Sequence, residues 1–257
     1  MNLIWMLAGT YLAYAVLMVW LHPRFIYPFG PDVFDNPTFQ QRRVTERQVA
    51  MATSFGDDDL AVLYFMGNGG ALNYFTFTLD AHQGAGRTIA AMEYPGGGGI
   101  PGKPSEHRLK ADALAAYDWL AGEHDGPIVV HGFSLGTGIA LHVAAARPVH
   151  AVILDAPYVR LCELMTSASY LPACKMPFVQ KWDSARYLTD IQAPVLVQHG
   201  TADQLIPIEN SLRMVAMLDD ANVPVSFQSY QDATHNNLAG QTGYADRIST
   251  FLRDITE

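Results

Sequence analysis

A serine flanked by glycines is the feature of this sequence that points most directly to chemistry. Gly132, Ser134 and Gly136 form the pattern glycine-x-serine-x-glycine. The pattern follows an apolar run typical of a strand and precedes a run typical of a helix, which is the context in which such a serine acts as a nucleophile. The glycines are needed because the serine sits on a strained turn where neighbouring side chains would clash. We therefore predict a nucleophilic Ser134 rather than a capping serine in a glycine-rich turn.

A serine nucleophile needs a base, and the base needs an acid that orients it. On a strand–turn–helix of this kind, the chain order is serine, then Asp or Glu, then His. His235 follows the last predicted strand and is the candidate base, and Asp203 follows the strand before it and is the candidate acid. Asp155 also ends a predicted strand and is the alternative acid. We interpret His131, His142 and His199 as packed or hydrogen-bonded histidines.

Acyl transfer also requires two backbone N–H groups aimed at the negative charge that develops on oxygen. One should belong to Leu135, directly after the serine. The other should belong to Asn68, in the glycine-rich loop after the strand 60–66. The glycines of that loop allow a substrate to approach its backbone.

Six apolar runs alternate with helical patterns from residue 45 onward. This alternation is typical of an α/β fold, with a mostly parallel central sheet and helices on both faces. The candidate site residues follow strands, at the edge where ligands bind in open α/β sheets. Residues 157–187 interrupt the alternation and are predicted to form a small lid. The predicted strands are 60–66, 88–94, 127–133, 150–155, 194–200 and 224–230, and the predicted helices are 71–83, 105–122, 135–147, 207–221 and 240–254.

The amino terminus is apolar and carries no charged side chain before Arg24. As a helix, residues 2–21 would span the ~30 Å hydrocarbon core of a membrane. We predict an uncleaved transmembrane anchor over 1–22. A buried core helix, a surface helix and a signal peptide cleaved near Ala15 are the alternatives. No Lys or Arg precedes the apolar run, and the run continues past Ala15, which disfavours the signal peptide.

The side of the membrane on which the catalytic domain lies stays open. Arg24 follows the apolar run and weakly favours a cytoplasmic domain. A disulfide between Cys162 and Cys174 would favour the opposite side, although two buried thiols are equally compatible with the sequence.

Residues 23–44 are predicted to link the anchor to a domain over 45–257. Prolines at 23, 28, 31 and 37 argue against a helix over 22–40. The aromatic residues between them are expected to pack on the domain or lie at the membrane surface.

Composition excludes several classes of protein. The chain has 257 residues, 49% of them hydrophobic, which suffices for a large core and excludes intrinsic disorder. Its net charge of −9 makes nucleic acid an unsuitable partner. No metal-binding spacing occurs, and the glycine-rich loop 97–102 lacks the acidic residue and the Ser/Thr that nucleotide-binding loops need. We therefore expect neither a metal nor a cofactor.

The chain resembles the α/β-hydrolase superfamily of serine hydrolases over residues 45–257. Within it, the anchor and Pro104-Ser105-Glu106 are similar to a small membrane-anchored branch with a proline-serine-glutamate motif. The loop before this motif departs from the branch pattern, and Met66 replaces a histidine that often precedes the oxyanion glycine.

The resemblance implies hydrolysis of an ester, thioester or amide through an acyl-enzyme on Ser134, with a small-molecule or lipid-like acyl substrate. An acyltransferase with the same residues and a non-catalytic binding protein on the same fold are the alternatives. Apolar lid side chains either line an acyl site or only pack on the sheet.

Overall fold

The computed structural model describes residues 3–255, which form one α/β domain preceded by a long helix. Residues 1–2 of the predicted anchor and 256–257 of the predicted domain lie outside that range. Eight strands form a single sheet in the order β1-β2-β4-β3-β5-β6-β7-β8. The strands are β1 (Gln40–Val44), β2 (Val49–Ser54), β3 (Ala61–Phe65), β4 (Thr88–Glu93), β5 (Ile128–Phe133), β6 (Ala151–Asp155), β7 (Val195–Gly200) and β8 (Val225–Tyr230).

The six strands from β3 to β8 are parallel to one another, as the sequence predicts. Their side chains at the centre of the sheet are buried, because helices cover both faces. The helices are α1 (Leu3–Ile26), α2 (Thr76–Gln83), α3 (Glu106–Glu123), α4 (Leu135–Ala146), α5 (Leu161–Ser169), α6 (Glu209–Asp220) and α7 (Tyr244–Asp254). Short 3-10 turns occur at Leu72–Phe75, Ala173–Lys175, Ala185–Asp190 and Leu238–Gly240.

Two strands were not predicted. Strand β1 pairs antiparallel with β2, and β2 pairs antiparallel with β4. The sheet therefore begins at Gln40, inside the stretch predicted as a linker and before the predicted domain boundary at residue 45. Strand β1 is a polar edge strand, largely exposed, so it lacks the apolar run that marks the other strands.

The prediction that residues 22–40 contain no helix is wrong at their start, because α1 continues through Pro23 to Ile26. Proline has no N–H and cannot donate to the carbonyl of Val19 four residues earlier. The ring of His22 donates from Nδ1 to that carbonyl instead, at 2.6 Å. Beyond Ile26, the chain is irregular up to β1.

Helix α1 is long and apolar enough to cross a membrane. An 18-residue window of it has a mean hydropathy of 1.8, and none of that window is buried in the protein. This exposure argues against a buried core helix. The carboxyl end of α1 docks on the domain, where His22 and Ile26 are buried.

The segment predicted as a lid lies between β6 and β7. It contains α5, followed by the 3-10 turn Ala173–Lys175, and a disulfide joins Cys162 to Cys174. This bond settles the pairing of the cysteines, which the sequence left open, and ties α5 to the chain that follows it.

Candidate active site

Ser134 lies on the sharp turn between β5 and α4. Its backbone has φ 51° and ψ −117°, a conformation that a residue other than glycine rarely adopts. A Cβ at Gly132 would collide with the carbonyl of Gly136, and one at Gly136 would collide with the carbonyl of Phe65. The N–H of Ser134 donates to the carbonyl of Asp155 at 2.8 Å, which fixes the turn against β6. The sequence thus needs both glycines for this turn to form.

The structure brings Ser134, His235 and Asp203 together from three separate loops. His235 Nδ1 donates to Asp203 Oδ2 at 2.6 Å, and His235 Nε2 lies 2.9 Å from Ser134 Oγ. Because the carboxylate holds the proton on Nδ1, Nε2 is free to accept the hydrogen of the serine hydroxyl. The three residues are buried. The side chain of His235 is 8% exposed, and that of Asp203 is fully buried.

Asp203 is held as a carboxylate. Burial alone would raise its pKa, but hydrogen bonds from His199 and His235 and from the backbone of Ile206 bring the pKa below its usual value. Its Oδ1 accepts the N–H groups of Leu205 and Ile206, each at 2.9 Å. His199 Nε2 lies 3.3 Å from Oδ2, and the ring is fully buried. His199 is therefore a hydrogen-bonded histidine that supports the acid.

Asp155, the alternative acid, has different partners. It accepts a hydrogen bond from His131 Nε2 at 2.9 Å and from Gln198 Nε2 at 3.0 Å, and a third from the hydroxyl of Tyr244. His131 in turn accepts from His82 Nε2 at 2.9 Å. Burial, together with the nearby His131, holds the pKa of His82 well below its usual value. Asp155 thus belongs to a buried polar network beneath the turn of Ser134.

The two residues whose N–H groups are predicted to bind an oxyanion lie near the serine. Leu135 is the first residue of α4, where helix N–H groups are unpaired and the helix dipole favours negative charge. Asn68 follows β3, and both residues line the same cavity as Ser134. Within residues 3–255, neither N–H donates a backbone hydrogen bond. Both are therefore available to a substrate oxygen.

Two cavities open beside Ser134 and His235. The first, which we call the His235 cavity, has a volume of about 540 Å³, and the second, the Ser134 cavity, about 300 Å³. Asn68 and Leu205 line both cavities, so the two meet at the site. The Ser134 cavity is walled by apolar side chains from the end of α1 and from the lid: Phe25, Ile26, Leu161, Leu164 and Met165.

Sequence reasoning did not assign a role to Glu106, the last residue of the proline-serine-glutamate motif. Its Oε2 accepts the backbone N–H groups of Lys181 and Trp182, at 3.0 and 3.1 Å. Its own N–H donates to Gln180 Oε1 at 2.5 Å. Glu106 therefore ties the end of the lid to the start of α3. The proline-serine-glutamate motif was the feature of the sequence that pointed to Glu106. It could not reveal the partners of Glu106, because they lie more than 70 residues further along the chain.

Comparison with known proteins identifies a family. The model of the dienelactone hydrolase family matches residues 100–248. An uncharacterized protein of Mycobacterium tuberculosis is 35% identical over 206 residues, which cover 77% of this chain and 72% of that protein. A lysophosphatidylserine lipase of Macaca fascicularis is 25% identical over 217 residues, which cover 76% of this chain and 54% of the lipase.

Solved structures share the fold. An esterase of Pyrococcus furiosus superposes with a TM-score of 0.70 at 18% identity, covering 89% of this chain and 97% of the esterase. This likeness confirms the predicted fold, and together with the family match it confirms the α/β-hydrolase superfamily, whereas the branch with the proline-serine-glutamate motif stays a prediction. The protein is a hydrolase of the α/β fold, and it belongs to the dienelactone hydrolase family.

Proposed function

We propose that this protein is a membrane-anchored serine esterase that hydrolyses acyl esters through an acyl-enzyme on Ser134. The observation that carries the proposal is the continuous hydrogen-bonded series from Ser134 Oγ through the ring of His235 to the carboxylate of Asp203. In this series the carboxylate orients the ring, the ring faces the serine hydroxyl, and the series opens on two cavities.

In the first half of the reaction, Ser134 Oγ attacks the ester carbonyl carbon, and the hydroxyl proton passes to His235 Nε2. The resulting oxyanion accepts hydrogen bonds from the N–H groups of Asn68 and Leu135. Collapse of this intermediate breaks the bond to the alcohol oxygen, which takes the proton from His235. The alcohol leaves, and the acyl group stays on Ser134.

In the second half, a water molecule takes the place of the alcohol. His235 removes its proton as the water oxygen attacks the acyl carbon, and then returns the proton to Ser134 Oγ as the ester bond to the enzyme breaks. Asp203 stabilises the imidazolium that forms in both halves. The products are a carboxylic acid, the alcohol and the free enzyme.

The membrane assignment follows from α1. Its exposed apolar surface favours a lipid environment, and its last turn packs on the domain. Tyr27, directly after α1, donates to Gln180 Oε1 at 2.6 Å and accepts from Trp182 Nε1 at 3.0 Å. These contacts hold the end of the helix on the lid, which favours an uncleaved anchor over a removed signal sequence.

A fluorophosphonate probe tests the proposed chemistry, because it reacts covalently with activated serines. The full-length wild type should be labelled, and Ser134→Ala should not. Ser167→Ala is the matched control, since Ser167 is an exposed serine on α5 that should leave labelling unchanged. Undiminished labelling of Ser134→Ala would overturn the proposed nucleophile.

The anchor needs a separate test. The full chain should remain in the membrane pellet after a carbonate wash, and its intact mass should include residues 1–22. A mass that lacks them, or release of the chain by carbonate, would contradict the anchor.

A further inference from the structure

The chemistry proposed for Ser134 and His235 assigns different parts of an ester to the two cavities. The oxygen that leaves must take its proton from His235 Nε2, so it has to lie beside that ring. Of the two cavities, only the one we call the His235 cavity is lined by His235. The alcohol part therefore belongs in the His235 cavity, which leaves the Ser134 cavity to the acyl chain.

The Ser134 cavity continues toward the membrane. A further cavity of about 270 Å³, which we call the anchor cavity, lies between α1 and the lid. Phe25, Met165 and Ala168 line both the anchor cavity and the Ser134 cavity, so the two adjoin. On the α1 side, the lining begins at Met18, seven residues or about 10 Å of helix before Phe25. An apolar slot thus runs from the serine to the membrane-facing part of α1.

The slot has a fixed geometry. His22 Nε2 accepts the N–H of Gln180 at 3.1 Å, and Gln180 Oε1 accepts from both Tyr27 and Glu106. Nearer the middle of α1, Tyr14 donates to the carbonyl of Ser169, the last residue of α5, at 3.0 Å. These contacts hold α1 beside α5 along the slot. Because both walls are positioned by hydrogen bonds, the slot is built into the fold.

Side chains of α1 indicate the depth at which the slot lies in the bilayer. Arg24 lies over the ring of Trp20 at 5.0 Å, and indole and guanidinium groups favour the headgroup region. Met18 and Val19 precede this pair and lie on the apolar side of it. The anchor cavity therefore adjoins the hydrocarbon of the membrane.

The His235 cavity has a different character. Apart from His235, its polar side chains carry no ionisable acid or base of the Asp, Glu, Lys or Arg type among the described residues, and Tyr74, Thr78 and Asn236 are among them. An anionic alcohol part, such as a phosphate ester, would lose its hydration there without gaining a cationic partner.

We propose that the substrate is a long-chain acyl ester of a small uncharged alcohol, taken directly from the membrane, with its acyl tail lying in the slot between α1 and α5. This inference rests on the proposed esterase function. It adds the chain length, the charge of the alcohol and the route of entry, none of which the Ser134, His235 and Asp203 geometry determines.

A chain-length series tests the acyl slot. The full-length protein in phosphatidylcholine vesicles is given p-nitrophenyl acetate, butanoate, octanoate and laurate. Each methylene that the slot buries should raise kcat/KM roughly fourfold, so octanoate should exceed butanoate by at least tenfold. Equal kcat/KM values for butanoate and octanoate would overturn the inference.

A substitution within the slot tests whether the preference for long acyl chains arises there. Ala168→Trp places an indole where the Ser134 cavity meets the anchor cavity, and should reduce the ratio of laurate to butanoate kcat/KM by at least tenfold. Ser167→Trp adds the same side chain at the neighbouring exposed position and should keep the wild-type ratio. The same melting temperature in both variants shows that both are folded. An unchanged ratio in Ala168→Trp would overturn the route through the slot.

The charge of the alcohol is tested with a monoacylglycerol and its phosphorylated counterpart of equal chain length in the same vesicles. The neutral ester should be hydrolysed at least tenfold faster, and a faster phosphorylated ester would contradict the assignment of the His235 cavity. If the wild type hydrolyses butanoate and Ser134→Ala does not, the esterase function stands whatever the chain-length result. If the wild type hydrolyses no ester of any length, both proposals fail.

Discussion

The ring of His22 joins the last turns of α1 to the backbone of Gln180 near the end of the lid. Its Nε2 accepts the Gln180 N–H, while its Nδ1 donates to the Val19 carbonyl that Pro23 leaves without a partner. The ring of His22 thus supplies the hydrogen bond that the helix lacks and holds the helix on the lid. The proline that argues against a helix in the sequence is accommodated because its neighbour supplies the missing donor.

The first prediction concerns this residue. His22→Ala leaves the partly buried N–H of Gln180 and carbonyl of Val19 unpaired, which should lower the free energy of unfolding by about 1–3 kcal/mol. Thermal unfolding of the full chain in detergent measures the change. His107→Ala, which removes an exposed histidine on α3, is the control and should melt like the wild type. A wild-type melting temperature for His22→Ala would show that the docking contacts do not stabilise the protein.

The second prediction separates the two candidate acids. Asp203→Asn removes the carboxylate that fixes the His235 tautomer and stabilises its charged form. We expect kcat for an ester substrate to fall about 10⁴-fold. The melting temperature should change little, because the asparagine oxygen can still accept the N–H groups of Leu205 and Ile206.

Asp155→Asn serves as the counterpart. The amide nitrogen would face one of the donors from His131, Gln198 or Tyr244, so the folded protein should lose about 1–3 kcal/mol of stability. Its kcat should stay closer to the wild-type value than that of Asp203→Asn. The assignment of the acid is wrong if Asp155→Asn abolishes turnover in a folded protein while Asp203→Asn spares it.

The parallel part of the sheet was predictable because each of its strands is an apolar run with its own turn residues. The order of Ser134, Asp203 and His235 was predictable for a related reason, since each follows such a strand. The sequence favours Asp203 over Asp155 because Asp203 lies three residues beyond its predicted strand, a reach that suits holding an imidazole. It could not show that His131, Gln198 and Tyr244 donate hydrogen bonds to Asp155.

The parts that escaped prediction depend on contacts distant in sequence. Strand β1 is polar and is recognisable only by its pairing with β2. The helical turn at Pro23 depends on the ring of His22, which the N–H of Gln180, 158 residues away, holds in place. The role of Glu106 likewise depends on backbone groups of the lid. Local pattern carries no information on such pairings.

A third prediction concerns pH. Burial raises the pKa of Glu93, at the end of β4, to about 7, although the charge of Arg43 acts to lower it. The side chain is 3% exposed, and its Oε2 has no hydrogen-bond partner among the described residues. Between pH 4.5 and 7 the folded state therefore binds a proton that the unfolded state has released, so this group makes stability fall as pH rises through that range.

Glu93→Gln removes the cost of ionising a buried carboxyl group. The stability of the variant should depend less on pH between pH 4.5 and 7. At pH 8 its free energy of unfolding should exceed that of the wild type by up to about 3 kcal/mol. At pH 4.5 the two proteins should be similar, because Glu93 is then protonated. Denaturant unfolding at pH 4.5 and pH 8 measures both values, and equal stability at pH 8 would contradict the raised pKa.

The last prediction concerns the Cys162–Cys174 bond and the side of the membrane. Disulfides persist in oxidising compartments and are rare in the cytosol, so the bond favours a catalytic domain outside the cytoplasm, against the weak indication from Arg24. Both cysteines should therefore resist alkylation in the native host unless a reductant is added first, which intact mass measures. Cys162→Ser with Cys174→Ser should lower the free energy of unfolding by about 3 kcal/mol, because a closed loop of 12 residues is released. Full alkylation without reductant would place the domain in a reducing compartment and reverse the predicted orientation.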